Sequence, residues 1–336
     1  MSAVDALLAR HGAFWRRELD RPLLAQGRAW PHWVNVGRMY GPCDGQAVGP
    51  DMADARRYLD ALDWTASWRP GEADLFMPLP PCPRIPWMEA IAGCRVEAAP
   101  SSNSVWSREP QGLAPEPDRV ALDEAWLDAL LGQVEYLTTH APAGFPVTQT
   151  LMRGPGDVVE ALIGATALLY GMADGAQWLR RLIESATDLF IHVARLQWDG
   201  IRPAWGGCVN FFGFWSPGHC VRVQEDVQRL LSPVLYREWL RPALERIVGE
   251  FPCSVFHIHS GSLHLVEEVA SVRGLGALQV SVDEPPYAPP ILELTDALRR
   301  AQEHVPLFVE GPMSAQEFEG LQAALRAEAL ALRREA

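Results

Sequence analysis

From Cys253 onward the chain repeats one pattern: an apolar, β-branched run followed by an amphipathic stretch. The strand-like segments CSVFHIHSG, GALQVSVDE and VPLFVEG alternate with the helix-like segments SLHLVEEVASV, ILELTDALRRAQEH and a terminal helix from Ser314. Strands that alternate with helices of this length form parallel sheets through right-handed crossovers. Upstream, the spacing predicts helices over Asp123–Thr138 and Asp157–Gln197, the latter broken near Gly171–Gly175. It also predicts strands over Phe145–Gly154 and Ile201–Trp215, and a helix over Ser232–Phe251 with Ser232 as N-cap and Pro233 at its first position. No GxGxxG follows any strand, and GPGDVV (Gly154 to Val159) is not one, so the count predicts an α/β (β/α)8 TIM-like barrel rather than a pair of dinucleotide-binding domains. Residues 121–336 supply its main part. Residues 1–120, rich in proline, glycine and tryptophan, form a loop-rich elaboration packed on the same single domain, with helices at Ala3–Leu24 and Asp51–Leu62 and short strands in PHWVNVG (from Pro31) and DLFMPLP (from Asp74). Past Gly311 the pattern offers only the terminal helix. The last strand is therefore expected to be missing, non-standard or replaced by one from the N-terminal layer.

Composition removes whole classes of chemistry. All 29 basic residues are arginine. Arginine stays protonated, so Schiff-base aldolases, pyridoxal-phosphate enzymes, P-loop nucleotidases and protein kinases, which need a lysine, are excluded. A net charge of −13 with no basic tract argues against nucleic acid. The six cysteines lack CxxC spacing, no signal-like start is visible and no run of apolar residues is long enough to span a membrane, so a reduced, cytoplasmic protein is expected.

In a parallel barrel the reacting groups stand at the C-terminal ends of strands. Three successive strand ends here carry His257 and His259, then Asp283 and Glu284, then Glu310. Strand alternation puts His257 and His259 on one face and Phe256 and Ile258 on the other. Two imidazoles with neighbouring carboxylates can supply a tetrahedral zinc site, or can instead hydrogen-bond neighbours or hold an anion without metal. His264, the third histidine of this segment, is expected to be an ordinary helix residue. NFFGFWSPGHCVRVQED, with Asn210, Trp215, His219, Gln224 and Asp226, has the composition of a substrate-binding loop, and Asp226 can equally be a cap. Thirteen tryptophans allow a flat aromatic pocket for a planar ligand.

FHIHSG followed by a helix, QEDVQRLLSPVLYREWLRPALERI (from Gln224) and RIPWMEAIAGC (from Arg84) together resemble the uroporphyrinogen decarboxylase-like superfamily, which includes tetrapyrrole decarboxylases and cobalamin-dependent methyltransferases. The resemblance runs from about Phe14 to Gly311. It implies a TIM barrel and, for the methyltransferases, a His-x-Cys zinc motif in which His257 matches the histidine and His259 stands in the cysteine's place. More distant methionine synthases imply an acid at Asp283 or Glu284 and a last ligand near Glu310. The decarboxylases' N-terminal arginine and glycine loop is reduced in NVGRMYGP to Gly37, Arg38 and a displaced Tyr40, which weighs against tetrapyrrole decarboxylation.

The reading that follows is a zinc-dependent methyl or alkyl transferase with His257, His259 and Asp226 at its centre. Zinc would be held by His257, His259 and a carboxylate from Glu284 or Glu310, and Asn210, Trp215, His219, Gln224 and Arg153 would contact substrate. The methyl carrier would be a corrinoid on a partner protein or a tetrahydrofolate, and the acceptor a thiol or other heteroatom. Two alternatives stay open: a metal-free decarboxylase or lyase in which a histidine is the general acid and Arg153 and Arg202 hold a carboxylate, and a non-catalytic partner subunit.

Overall fold

The computed structural model describes residues 2–27, 34–62, 73–110, 112 and 117–335. The described strands are β1 (Leu23–Gln26), β2 (Gln46–Ala47), β3 (Arg95–Ala99), β4 (Ser104–Arg108), β5 (Cys208–Val209), β6 (Trp215–Ser216), β7 (Cys220–Gln224), β8 (Cys253–His259), β9 (Ala277–Ser281), β10 (Leu307–Pro312) and β11 (Leu330–Glu335). Six of them form one sheet in the order β1-β11-β10-β9-β8-β7. Every pairing in it is parallel. The chain is thus an α/β protein with its helices laid against a parallel sheet, as the alternation requires.

Two extended segments continue the backbone contacts past the sheet's edges. Asp74 N–H donates to Leu24 C=O of β1, Leu79 forms a parallel bridge with Val147, and Arg153 forms a parallel bridge with Gln224 of β7. They coincide with the expected strands DLFMPLP and FPVTQTLMRG. The prolines among them remove ladder donors, which limits the regular pairing.

The chain departs from the sequence expectations in several places, the first being that the helix expected over Ala3–Leu24 stops at Arg16, with Arg17 left-handed at φ 61°, and Leu23 and Leu24 belong to β1. The terminal helix is only Ala315–Ala324, capped by Ser314 and Glu317, and is followed by β11, an additional strand inserted between β10 and β1. The expected strand over Ile201–Trp215 is instead a hairpin of β5 and β6, and the true strand is β7, inside the segment read as a binding loop. Ser232 caps its helix as expected, but Pro233–Trp239 and Arg241–Gly249 are separate helices, because Pro242 cannot sit in a helix interior. Of the expected strand in PHWVNVG, residues 31–33 lie outside the described residues; Val34 makes one bridge to Leu62, and Val36–Tyr40 is a helix capped by Asn35.

One described helix, Pro155–Ala173, is long and apolar enough by composition to cross a membrane. Here it is a core helix: Val158, Val159, Leu162, Leu168 and Met172 are buried, and it packs against the helix Gln177–Gly200. At Gly164, with φ 78°, its regular geometry breaks.

The sheet's inward residues change character along the strands. Near the N-terminal ends the interior is closed by the turn Asn210–Phe214, whose Phe212 and Phe214 pack edge-on against Phe308. Gly213 makes that insertion possible: at φ 90°, any Cβ would lie 2.2 Å from Phe76 C=O. Toward the C-terminal ends the interior becomes polar, with Arg222, Gln224, His257, Gln279, Glu310 and Arg333 buried.

Candidate metal centre

Adjacent strands carry the reactive side chains. Pairing of β7 with β8 and of β8 with β9 sets Gln224 beside His257, His257 beside Gln279, and His259 beside Ser281. Phe256 and Ile258, on the other face of β8, are fully buried, which turns both imidazoles inward. Asp226 lies two residues past β7, at the start of the short helix Asp226–Leu230. One donor atom from each of Asp226, His257 and His259 lies within 4.8 Å of the other two.

The hydrogen-bond chain fixes what each group presents. Glu310 accepts from Arg333 and, at 3.1 Å, from Gln279 Nε2. Gln279 therefore offers its Oε1 to His257, whose Nδ1 must be the protonated nitrogen, leaving Nε2 as a lone pair. His259 Nδ1 donates to Asp283 Oδ1 at 2.7 Å, so its Nε2 is also a lone pair in the neutral ring, 3.7 Å from Asp226 Oδ1. Asp226 Oδ2 accepts from Gln224 Nε2 at 2.6 Å and faces Arg153 Nη2 at 3.4 Å, whereas its Oδ1 is buried with no donor among the described residues. Three acceptors thus converge with no donor among them, an arrangement that a cation or a shared proton relieves.

The electrostatics agree. Burial, with Arg222 and His259 nearby, pushes the His257 pKa down to about 3, so this ring is neutral, as a ligand must be. For His259 burial works downward, but the bonds and charges of Asp283 and Asp226 prevail and raise it. Burial alone would raise Asp226, and the Arg153 charge, with the His259 ring and the Gln224 hydrogen bond, outweighs it to hold the carboxyl below its usual range. A neutral His257, a carboxylate, a His259 that would give up its Nε2 proton on binding, and second hydrogen bonds to each imidazole suit a divalent metal with an open position. The site fits such an ion. Above it opens a cavity of about 280 Å³, lined by Asp226, Gln228, Arg229, His259, Gly261, Ser262, Asp283 and Tyr287.

Of the other expected site residues, Gln224 and Arg153 adjoin Asp226 and the rest lie elsewhere. Glu284 is exposed and outside the cluster. Glu310 is tied to Gln279 and Arg333, one layer behind His257. Arg153 is an internal cation: its Nη1 meets Glu89 at 3.2 Å, its Nε meets Asp157 at 3.0 Å, and its third edge faces Asp226. Asn210 holds the aromatic turn, its Oδ1 accepting from Phe212 N–H and Phe214 N–H. Trp215 and His219 precede β7 and so lie at the N-terminal end of the strands, away from the cluster. Trp215 donates its backbone N–H to His11, and His219 stacks on Trp198 at 5.1 Å. Arg202 is exposed just after the helix Gln177–Gly200, also at that end. Gln224 belongs to the site through Asp226, and His264 Nε2 bonds to Leu231 C=O. Among the described residues, no tryptophan lines the cavity. Trp64 and Trp68 lie outside the described residues.

Sequence reasoning missed Arg222, Gln279 and Gln228. The available signal was a polar residue at an inward register of an otherwise apolar strand for the first two; Gln228 had none.

No protein-family model and no curated protein matches the sequence. Among solved structures, the chain is similar to a methyltransferase from Methanosarcina mazei, with a TM-score of 0.62 and 14% identity over 97% of this chain and 92% of that one. At that identity the likeness is one of fold.

Proposed function

We propose that this protein is a zinc-dependent methyl or alkyl transferase built on a (β/α)8 barrel, with its reaction centre at Asp226, His257 and His259. The observation that carries the reading is the convergence of a carboxylate oxygen and two imidazole nitrogens, within 4.8 Å of one another, at the C-terminal ends of adjacent parallel strands. The barrel is supported by the bridges Leu79–Val147 and Arg153–Gln224 and the Asp74–Leu24 hydrogen bond, on which residues 74–80 and 147–153 would serve as the two staves beyond the six-stranded sheet. Methyl transfer is supported by the fold shared with the Methanosarcina mazei methyltransferase.

Asp226 Oδ1 and the Nε2 atoms of His257 and His259 would hold the zinc, with Asp283 and Gln279 fixing the rings. When bound, zinc lowers the pKa of an acceptor thiol or polarises a heteroatom leaving group. The cavity admits the small acceptor beside His259, and Arg229 and Tyr287 at its rim meet the outer part of that molecule. The methyl group would arrive at this mouth from a corrinoid on a partner protein or from a reduced folate.

Elemental analysis of untagged protein tests the reading. About one zinc per chain is expected, lost in the His257→Ala/His259→Ala double variant, together with methyl transfer from methylcobalamin or methyl-tetrahydrofolate to a thiol panel. One observation favours a second reading: with no metal, His259 between Asp283 and Asp226 is a poised general acid for a metal-free lyase. Protein that is active, free of zinc and insensitive to chelators would select it.

A further inference from the structure

Beneath the three donors lies a charged group that the proposed chemistry does not use. Arg222 is 3% exposed, although it sits mid-strand in β7. Its guanidinium lies over the rings of Phe211 and Phe212, 5.0 and 5.2 Å from their centroids, and its Nε and Nη1 have no hydrogen-bond partner. Among the described residues, its one side-chain hydrogen bond runs from Nη2 to Gln224 Oε1 at 2.6 Å. That bond decides which way the Gln224 amide faces: with Oε1 taken by the arginine, Nε2 is directed at Asp226 Oδ2, 2.6 Å away. Phe212, which carries the guanidinium on one side, also stacks with His257 at 6.5 Å and 15°. The aromatic turn is itself fixed by Asn210, through Phe212 N–H and Phe214 N–H.

Isolated burial of an arginine is costly unless its charge and geometry are used. We propose that Arg222 is the positioning residue of the metal centre: clamped by the Phe211–Phe212 turn, it sets Gln224, which occupies Asp226 Oδ2 and so leaves Oδ1 as the atom facing the two imidazoles. The role rests on the metal reading above and adds to it a second layer built from the floor of the sheet. Asp226 has few other constraints, since Arg153 reaches the same Oδ2 only at 3.4 Å. Second-layer contacts of this kind carry roughly 10–100-fold in metal affinity.

The test compares untagged full-length wild type with Arg222→Met, Gln224→Met and the double variant. Zn²⁺ affinity is read by competition with a chromophoric chelator, and Co²⁺ geometry by its visible absorption. Gln224→Met leaves the arginine in place, so it speaks even if Arg222→Met does not fold. Each single variant is expected to bind Zn²⁺ at least about tenfold more weakly and to shift the Co²⁺ bands, and the double variant to be little worse than either single, because the two act in one chain. Gln224→Met protein that is folded by circular dichroism yet matches wild type within about twofold, with unchanged Co²⁺ bands, overturns the role while leaving the metal reading standing. Wild type that binds neither ion overturns both.

Discussion

Replacing Arg153 by methionine separates the role the sequence suggested from the one the structure assigns. Arg153 meets Glu89, Asp157 and Asp226, and the first two carboxylates have fully buried side chains, whereas the arginine side chain is 29% exposed. At an effective dielectric near 20, a unit-charge pair about 4 Å apart interacts by roughly 4 kcal/mol, and removing one partner of a buried pair costs about 3–5 kcal/mol. The exposed edge of the guanidinium is screened by water, so the lower end, about 3 kcal/mol at pH 7, is expected. The pH dependence has a definite sign. Burial raises the Asp157 pKa to about 7 even though Arg153 pulls it down, and Glu89 is raised by the same cause. A carboxyl raised on folding contributes stability that is present below its unfolded pKa and lost as pH rises through the folded one. Without Arg153 the folded pKa values rise further and that loss extends to higher pH than in wild type, so the deficit widens with pH by up to about 1.4 kcal/mol per pH unit for each proton involved. Urea denaturation followed by tryptophan fluorescence at pH 6, 7 and 8 measures it. A deficit below about 1 kcal/mol, or one that shrinks as pH rises, refutes the internal-cation account and returns Arg153 to substrate binding.

Three further substitutions test other parts of the argument. Asp283→Asn weakens the contact that orients His259 and should lower Zn²⁺ affinity by about 10–100-fold in a chelator competition, with little change in melting temperature. His11 accepts from Trp215 N–H and bonds to Asp74 C=O, and burial drives its pKa down to about 4. Its contribution is therefore complete above pH 6.5 and lost as pH falls toward 4; His11→Phe should be less stable at pH 7, with the gap to wild type closing by about 3 kcal/mol by pH 4 in the same denaturation assay. Gly213→Ala places a methyl group 2.2 Å from Phe76 C=O at φ 90° and should cost at least about 2 kcal/mol, read as a drop in the urea midpoint.

Much of the parallel layout was legible because β8, β9 and β10 keep apolar bodies with polar tips. β7 was not, because its inward positions are Arg222 and Gln224, which interrupt the apolar run that marks a strand. β11 was hidden by composition: LALRRE is made of good helix formers, and only its place between β10 and β1, with Arg333 opposite Glu310, makes it extended. At the site, the histidine pair could be picked out at a strand end, and Asp226 only as a polar residue of an expected binding loop. The identity of the carboxylate could not: Asp283 and Glu284 are sequence neighbours, yet one orients His259 and the other is exposed. Asp226 and Glu225 diverge in the same way, Glu225 turning back to accept from Gly156 N–H and Asp157 N–H, where a Cβ on Gly156 would lie 2.5 Å from its carboxylate. Such choices depend on local backbone direction, which periodicity does not encode.

The register of Leu23 with Ala331 has a consequence for biosynthesis. On that flank the first strand waits for a neighbour about 300 residues downstream, which a ribosome adding roughly 5–20 residues per second delivers 15–60 s later. Through that interval the nascent chain must keep a hydrogen-bonding edge unsealed, so its vulnerability to mispairing lasts until Ala331 and its neighbours have been added.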